Sequence, residues 1–518
     1  MIFMGRPVCI NSAVLRGVEA QPVSVEVSLV QSLPGISIVG MADTAVMEAK
    51  ERVRTAIRMS GFSMPNKKIV VNLAPSDIKK RGCAFDLPIA LGVLVATGQV
   101  SFEFVNGRLF VGELGLDGSV RPVPGTLAYG ICAHKQSLAL VSAGYESVPI
   151  DTLEQLACTS LIDSLEFEPL PKVSFVKPAK EFFVSDGPDF SDVSGHGFAK
   201  RAAQIAVTGN HGLLMVGPPG SGKTMLASRM VTILPPLSSE EMLDTALVHS
   251  VAGEDISPIL SGRRPFRSPH HSATMAGLVG GGNPLKPGEV SLAHNGALFL
   301  DELPEFSPKA LQSLRQPLES AKVCLTRADG NLTFPAKFLL IAASNPCPCG
   351  YLGDEEHDCT CTAQQVSRYQ GRIGGPLIDR IDLQIDVKRL PPAKVLDSGN
   401  GTDSMTLREG VMLAREFIKW RENKSIVKDA QTLVVIKDFS RIGQKMNTKQ
   451  IVDACDLKKD TREFVIEMAE VNHLSGRGLV NTLRVARTIA DLGQSESVNT
   501  NHVAEALGFR IRDGIGQG

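Results

Sequence analysis

Aromatic side chains are scarce in this sequence. Phe, Trp and Tyr make up 5% of its 518 residues, with a single Trp at position 420, so stacking on nucleic-acid bases is not the main source of any binding. Charge of one sign is lacking too. The 54 Lys and Arg against 55 Asp and Glu leave a net charge of −1, which excludes a wholly basic, histone-like binder and leaves room for a local basic lining. No uninterrupted apolar run reaches the roughly 18–20 residues of a membrane span. The start, Met-Ile-Phe-Met-Gly-Arg-Pro, lacks the basic-then-apolar order of a secretion signal. Ten cysteines are too few for a disulfide scaffold. Cys9, Cys83, Cys132, Cys158, Cys324 and Cys455 are scattered, while four others crowd between 347 and 361. That distribution predicts a reducing, cytoplasmic setting and one metal site. Internal repeats and low-complexity tracts are absent.

What is there is an ordinary globular mix, 43% apolar and 21% charged, long enough for about three or four compact units. Residues 1–172 alternate β-branched runs (Val23–Val30, Lys68–Leu73) with helical patterns (Thr44–Met59, Phe85–Ala96), which predicts a mixed α/β domain. Residues 173–192, with Pro178 and Pro188, read as a linker. Residues 193–392 repeat buried strands followed by helices, the pattern of a parallel sheet with crossovers. Past Leu390-Pro-Pro, residues 393–518 have helical spacing and predict an all-α unit.

The chemistry gathers in the middle unit. Gly217-Pro218-Pro219-Gly220-Ser221-Gly222-Lys223-Thr224 follows a strand, and a helical run opens at Met225. That is the context of a P-loop, whose backbone N–H groups turn around phosphate at the positive end of a helix. Lys223 is placed to reach the β- and γ-phosphates of ATP and Thr224 to ligate Mg²⁺. The strand Ala297–Leu300 ends in Asp301-Glu302; the first carboxylate suits Mg²⁺ and the second can polarise an attacking water. The next strand, Phe338–Ala343, ends at Ser344-Asn345, and the Asn345 amide can orient that water. Arg380 has two readings, a surface ion pair with Asp379 or Asp382, or an arginine finger reaching a neighbouring subunit. Arg477 opens a helix and could sense phosphate, with Arg484 and Arg487 as rivals. Cys347-Pro-Cys349 and Cys359-Thr-Cys361 are separated by nine residues. Four thiolates so close suit a structural, tetrahedral Zn²⁺, with His357 as a substitute ligand; free or redox-active thiols are the alternative.

Together these parts resemble an AAA+ ATPase of the magnesium-chelatase-related branch, and more narrowly the YifB/ComM family. The match is carried by Arg264-Pro-Phe-Arg-Ser-Pro-His-His271, Gly280–His294, Leu300–Phe306, Leu314-Arg-Gln-Pro-Leu-Glu319, Asn345-Pro-Cys-Pro-Cys-Gly350, Gly35–Val46 and Arg484–Asp491. The chain departs from the family pattern at Gly374 (Ser expected), at Ser475-Gly-Arg-Gly478 (Ser-Ala-Arg-Ala expected) and at His196 (Gln expected). The resemblance implies a homo-hexameric ring with ATP at subunit boundaries, Arg380 acting in trans and Arg477 as a second sensor. It implies a cytoplasmic motor with no membrane partner that drives branch migration of single-stranded DNA in natural transformation, with branched DNA and a recombinase as partners.

Two segments are expected to line the ring's pore: Gly280–His294, and Val323–Phe334, which reads as a hairpin about Asp329-Gly330. Lys286 and Arg327 are the candidate DNA contacts, gripping phosphate without reading bases; ordinary solvated turn charges are the alternative. Gly112–Gly125 and Lys80–Asp86 resemble the Lon protease domain (ribosomal S5 domain 2-like). Matching the motifs puts Ala84 at the Ser position and Leu127 at the Lys position of its dyad. Neither side chain supports nucleophilic catalysis, so an inactive collar is expected rather than a protease. A chelatase-type motor acting on a protein partner is the alternative function.

Overall fold

A computed structural model of the chain describes residues 7–144, 146–165, 169–175, 187–282, 285–327, 330–391, 401–428 and 448–510. The N-terminal part forms a seven-stranded mixed sheet in the order Gly35–Val39, Lys68–Ala74, Glu19–Val30, Val8–Arg16, Arg108–Phe110, Ala139–Ser142 and Gln155–Ala157. Alternation drives it. In Lys68–Ala74 every second residue (Ile69, Val71, Leu73) is buried, the period-2 signature of a half-covered strand. The covering helix Thr44–Met59 buries Val46, Ala49, Val53, Ala56 and Ile57, one stripe at helical spacing. Its first turn is capped by Asp43, whose side chain accepts from the Val46 N–H at 2.9 Å.

The middle part is a five-stranded parallel sheet in the order Phe266–Arg267, Ala297–Leu300, Leu339–Ser344, Leu213–Val216 and Leu383–Asp386. Ala297–Leu300, Leu339–Ser344 and Leu213–Val216 are buried at every position, as expected of strands with helices on both faces. Because the strands run parallel, their C-terminal ends share one edge, and the P-loop, Asp301 and Asn345 all follow from that edge.

Helices Ser404–Lys428, Thr448–Cys455, Lys459–Val471, Gly476–Leu492 and Thr500–Gly508 make the C-terminal part. Its core is continuous with one face of the parallel sheet, through Leu407, Val411, Leu483, Ile489 and Phe509 beside Leu213, Phe299 and Ile341. A buried polar joint crosses the same boundary. His211 Nδ1 lies 3.0 Å from Asp382, its Nε2 lies 2.8 Å from Thr488 Oγ1, and Arg484 faces Asp382 at 3.6 Å. The N-terminal part docks on helix Ser239–Ala252. There Leu109, Val111 and Leu127 share an apolar cluster with Leu237, Ala246, Ile256 and Ile259, each buried Leu or Ile contributing about 2 kcal/mol of transfer free energy.

Two expected segments gain detail. The segment 173–192, expected as a linker, carries structure at both described ends. Val173 N–H bonds Gln155 O at 2.9 Å, while Phe190 is fully buried and its N–H donates to Ser404 Oγ at 2.9 Å. Two prolines amid Lys, Ser and Asp hid the anchoring role of Phe190; residues 176–186 lie outside the described residues. The expected hairpin forms from Lys322–Arg327 and Gly330–Pro335, but its register pairs Arg327 with Gly330. The connection is therefore 328–329, one residue earlier than Asp329-Gly330, and those two lie outside the described residues.

Candidate functional site

The strand Leu213–Val216 delivers the chain to Gly217, and close approach requires glycine there: a Cβ would lie 2.1 Å from Val387 O. Gly220 and Gly222 then adopt φ of 77° and 87°, which turns the loop into the helix Lys223–Met230. The Lys223 ammonium is buried and donates to Gly217 O at 2.8 Å and Pro218 O at 2.9 Å, and it lies 3.3 Å from Asn345 Oδ1. Burial lowers its pKa below the ordinary value, while the charges of Asp301 and Glu302 oppose that shift. Ser221 is buried, Pro219 caps the loop against Gly350, and Met225 packs on the core.

Thr224 Oγ1 donates to Asp301 Oδ2 at 2.8 Å. A hydroxyl and a carboxylate so placed offer the hard oxygen donors that Mg²⁺ prefers. The residues named for ATP and Mg²⁺ thus form two contacting pairs at the start of one helix, Lys223 with Asn345 and Thr224 with Asp301. Glu302 extends the second pair. Its φ is 50°, it opens the short helix Leu303–Glu305, and its N–H donates to Asp301 Oδ1 at 2.9 Å. Its carboxylate meets His271 Nδ1 at 3.2 Å, and the His271 ring lies against that of His270, with centroids 4.0 Å apart and planes tilted by 35°. Sequence reasoning missed His271 as a partner of Glu302. The available signal was the His-His pair just past the neighbouring strand Phe266–Arg267.

Arg380 goes elsewhere. Its Nη2 contacts Glu319 at 2.6 Å, so the expected ion pair with Asp379 or Asp382 is not the one formed; Asp382 is taken up by His211 and Arg484. Glu319 also meets Arg477 at 2.9 Å. One carboxylate therefore joins an arginine of the nucleotide core to one of the helical part. The rivals of Arg477 are occupied inside: Arg484 faces buried Asp382, and Arg487 pairs with buried Asp491 at 2.9 Å. The Arg477 side chain, by contrast, is 43% exposed.

Sulfurs of Cys347, Cys349, Cys359 and Cys361 lie within 4.8 Å of one another. Cys347 is 3.3 Å from Cys349 and 3.6 Å from Cys359, near the roughly 3.8 Å separation that four Zn–S bonds of about 2.3 Å set in a tetrahedron. Backbone N–H groups of Tyr351 and Thr360 lower the Cys349 thiol, whereas Cys359 and Cys361 are raised by burial and by their neighbouring sulfurs. His357 is turned away, 3.5 Å from Asp354 and stacked on Tyr351, so the donor set is four sulfurs without it. The cysteine loop abuts the phosphate loop: a Cβ on Gly350 would lie 2.7 Å from Pro219 Cδ.

Lys286 is exposed on a two-stranded ribbon, Gly280–Gly281 with Lys286–Pro287. Arg327 ends a strand of the hairpin, with its side chain outside the described residues. In the N-terminal part, Ala84 and Leu127 are both buried in one apolar cluster. Cys83 donates to Glu113 at 2.7 Å and is pushed up to about 12, by burial first and then by Glu113. A thiol raised in this way holds little thiolate at neutral pH, the form a nucleophile needs. No helix among the described residues is long and apolar enough to cross a membrane.

Comparison with known proteins follows the same division. Residues 189–395 match the family model described as magnesium chelatase, subunit ChlI. Residues 25–143 match a model for subunit ChlI of Mg-chelatase, and 401–510 its C-terminal model. The competence protein ComM of Haemophilus influenzae is 40% identical over 505 residues, covering 95% of each chain. The uncharacterized protein YifB of Escherichia coli is 39% identical over 505 residues, 96% of each chain. An uncharacterized protein of Mycobacterium tuberculosis is 35% identical over 523 residues, 96% of this chain and 97% of its own. With identity of this extent along the whole length, the chain belongs to the YifB/ComM family of magnesium-chelatase-like AAA+ proteins, membership of which implies ATP hydrolysis with Mg²⁺.

Proposed function

We propose that the chain is an ATP-driven DNA motor that works as a hexameric ring and moves branched or displaced single strands during recombination. The observation that carries this reading is the separation of two groups of residues. Lys223, Thr224, Asp301 and Asn345 meet at the phosphate loop, whereas Arg380 and Arg477 are held together on Glu319. A subunit so built has half of a hydrolytic site on each of two surfaces, and a neighbouring copy completes it.

In this scheme Lys223 neutralises the phosphate chain and Glu302 accepts the proton of the attacking water. Asn345 orients that water, while Arg380 of the adjoining copy stabilises charge on the γ-phosphoryl. Mg²⁺, when bound by Thr224 and Asp301, shields the phosphate oxygens. Lys286 and Arg327 contact the DNA backbone from tips facing the pore. The four cysteines hold a structural Zn²⁺, and the N-terminal part serves as a Lon-like collar without hydrolase activity. The Haemophilus relative is named a competence protein, which fits a motor that integrates incoming strands.

The decisive measurement is ATP-dependent unwinding of forked and four-way DNA, with Lys223→Ala as the inactive control. Replacing Lys286 and Arg327 together by Ala should weaken DNA binding and unwinding at least several-fold while basal ATPase persists. If both DNA activities survive the double substitution, the assignment of these tips is wrong. The chelatase-type family models favour a second reading, a remodelling ATPase acting on a protein partner. That reading predicts ATPase indifferent to DNA of any form.

A further inference from the structure

At the edge of the parallel sheet opposite the phosphate loop lies a cavity of about 320 Å³. It opens where the chain enters the strands, at Asn295-Gly296 and Lys337-Phe338, and helix Ser404–Lys428 closes its other side. A volume near 300 Å³ is the lower end of the range that holds small organic ligands.

Its charge is lopsided. Arg264, Lys337, Arg415 and Lys419 line it against Glu241 and Glu416. Glu241 is already taken by Arg264, at 2.7 Å. Arg264 also donates to Pro235 O and Asn295 O, both at 2.5 Å, so its guanidinium is fixed from several sides. Arg415 donates to Val207 O at 2.9 Å, but its Nε is buried and has no hydrogen-bond partner. Burial and then the Arg264 charge lower the Arg415 guanidinium to about 9, with Glu241 opposing. Lys337 is lowered by burial, and the Arg264 and Arg415 charges push it the same way while Glu241 opposes. Positive groups this crowded in a partly dry cleft are relieved by an anion of more than one charge. The opposite wall, with Leu234, Phe338 and Met412, is apolar and suits a flat organic body rather than a bare ion.

We propose that this cavity binds a small organic phosphate of mononucleotide size, which bridges the nucleotide core and the helical part at a site separate from the P-loop. Arg264 and Lys337 present the core side, and Arg415 and Lys419 present the helix. Occupancy therefore ties helix Ser404–Lys428 to the sheet.

The test uses the full chain with its P-loop saturated by ADP and Mg²⁺. Adenosine 5′-monophosphate, guanosine 5′-monophosphate and inorganic pyrophosphate are then titrated by calorimetry, with melting temperature followed in parallel. At least one nucleoside monophosphate should bind at one site per chain and raise the melting temperature, more tightly than pyrophosphate does. Arg415→Met, which keeps the aliphatic stem, should weaken that binding at least tenfold. Met412→Trp, which fills the cavity without changing charge, should do the same. Both variants should retain ADP binding, which reports an intact fold. Absence of any binding beyond ADP, or binding that both variants leave unchanged, would overturn the proposal. Binding by pyrophosphate alone would also refute it, because the apolar wall would then play no part.

Discussion

Glu302 occupies the left-handed region of backbone space, where a side chain costs about 1 kcal/mol or more. That conformation puts its carboxylate beside His271 instead of along the strand axis. Two substitutions separate the roles. Glu302→Gln should keep ATP binding and lower hydrolysis by about two to four orders of magnitude, the span of a lost general base. His271→Ala should lower kcat several-fold with little change in KM, because it removes a group that positions the carboxylate and touches no phosphate. Equal losses in both kinetic parameters for His271→Ala would argue against a positioning role.

A different histidine contributes to acid sensitivity. His294 accepts from the Lys337 N–H at 3.0 Å, and burial, then the Lys337 charge, lower its pKa from 6.5 to about 4. Between those values the unfolded chain holds a proton that the folded chain refuses. Stability therefore falls as pH drops through that window, by about 3 kcal/mol at its acid end. His294→Asn keeps an acceptor and cannot titrate, so its denaturation midpoint should be flatter between pH 6.5 and 4. An identical slope in wild type and variant would show that other groups set the acid limb.

Among the elements, the cysteine loop has the most to lose. It follows the strand carrying Asn345 and rests Gly350 on Pro219, and Arg389 ties back to Pro219 O at 3.1 Å. If the four sulfurs hold Zn²⁺ as proposed, chelation should release about one Zn²⁺ per chain, Cys359→Ser with Cys361→Ser should abolish its binding, and both should raise KM for ATP several-fold, since the loop abuts the phosphate site. Gly350→Ala should raise KM while leaving the metal in place, because its φ is 89° and the added methyl would press on Pro219. Metal content far below one per chain in purified wild type would remove the basis of both expectations.

The strands leading to Gly217, Asp301 and Asn345 were legible because runs buried on both faces are apolar without alternation, and polar groups at their ends stand out. Glu319 was not legible as the partner of Arg380: it lies 61 residues away, and no local period marks that contact. Phe190 was hidden for a similar reason, since its partner Ser404 lies far along the chain and nothing local marks the contact. The cavity around Arg415 was equally invisible, because its lining comes from helix and strand entries far apart in sequence.

For the molecule as a whole, the arrangement of arginines sets the strongest test. Glu319 draws Arg380 and Arg477 to one place, and neither arginine joins the contacts of Lys223, Thr224 and Asp301. If each active centre takes its P-loop from one copy and its arginine from the next, Lys223→Ala and Arg380→Ala chains should each be nearly inactive alone. They fail for different reasons, since the first lacks the phosphate cradle's charge and the second lacks what it lends. Mixed in equal amounts and allowed to exchange, they should regain ATPase. Random assembly pairs an intact P-loop with an intact neighbouring arginine at roughly a quarter of the boundaries, which bounds the recovery when centres act independently. Concerted turnover around the ring would give less, and the shortfall would measure that coupling. Complementation also distinguishes donation across a boundary from a role for Arg380 within its own subunit. In the latter case every chain in the mixture carries its own defect, and activity stays at the sum of the two inactive proteins whatever the mixing ratio.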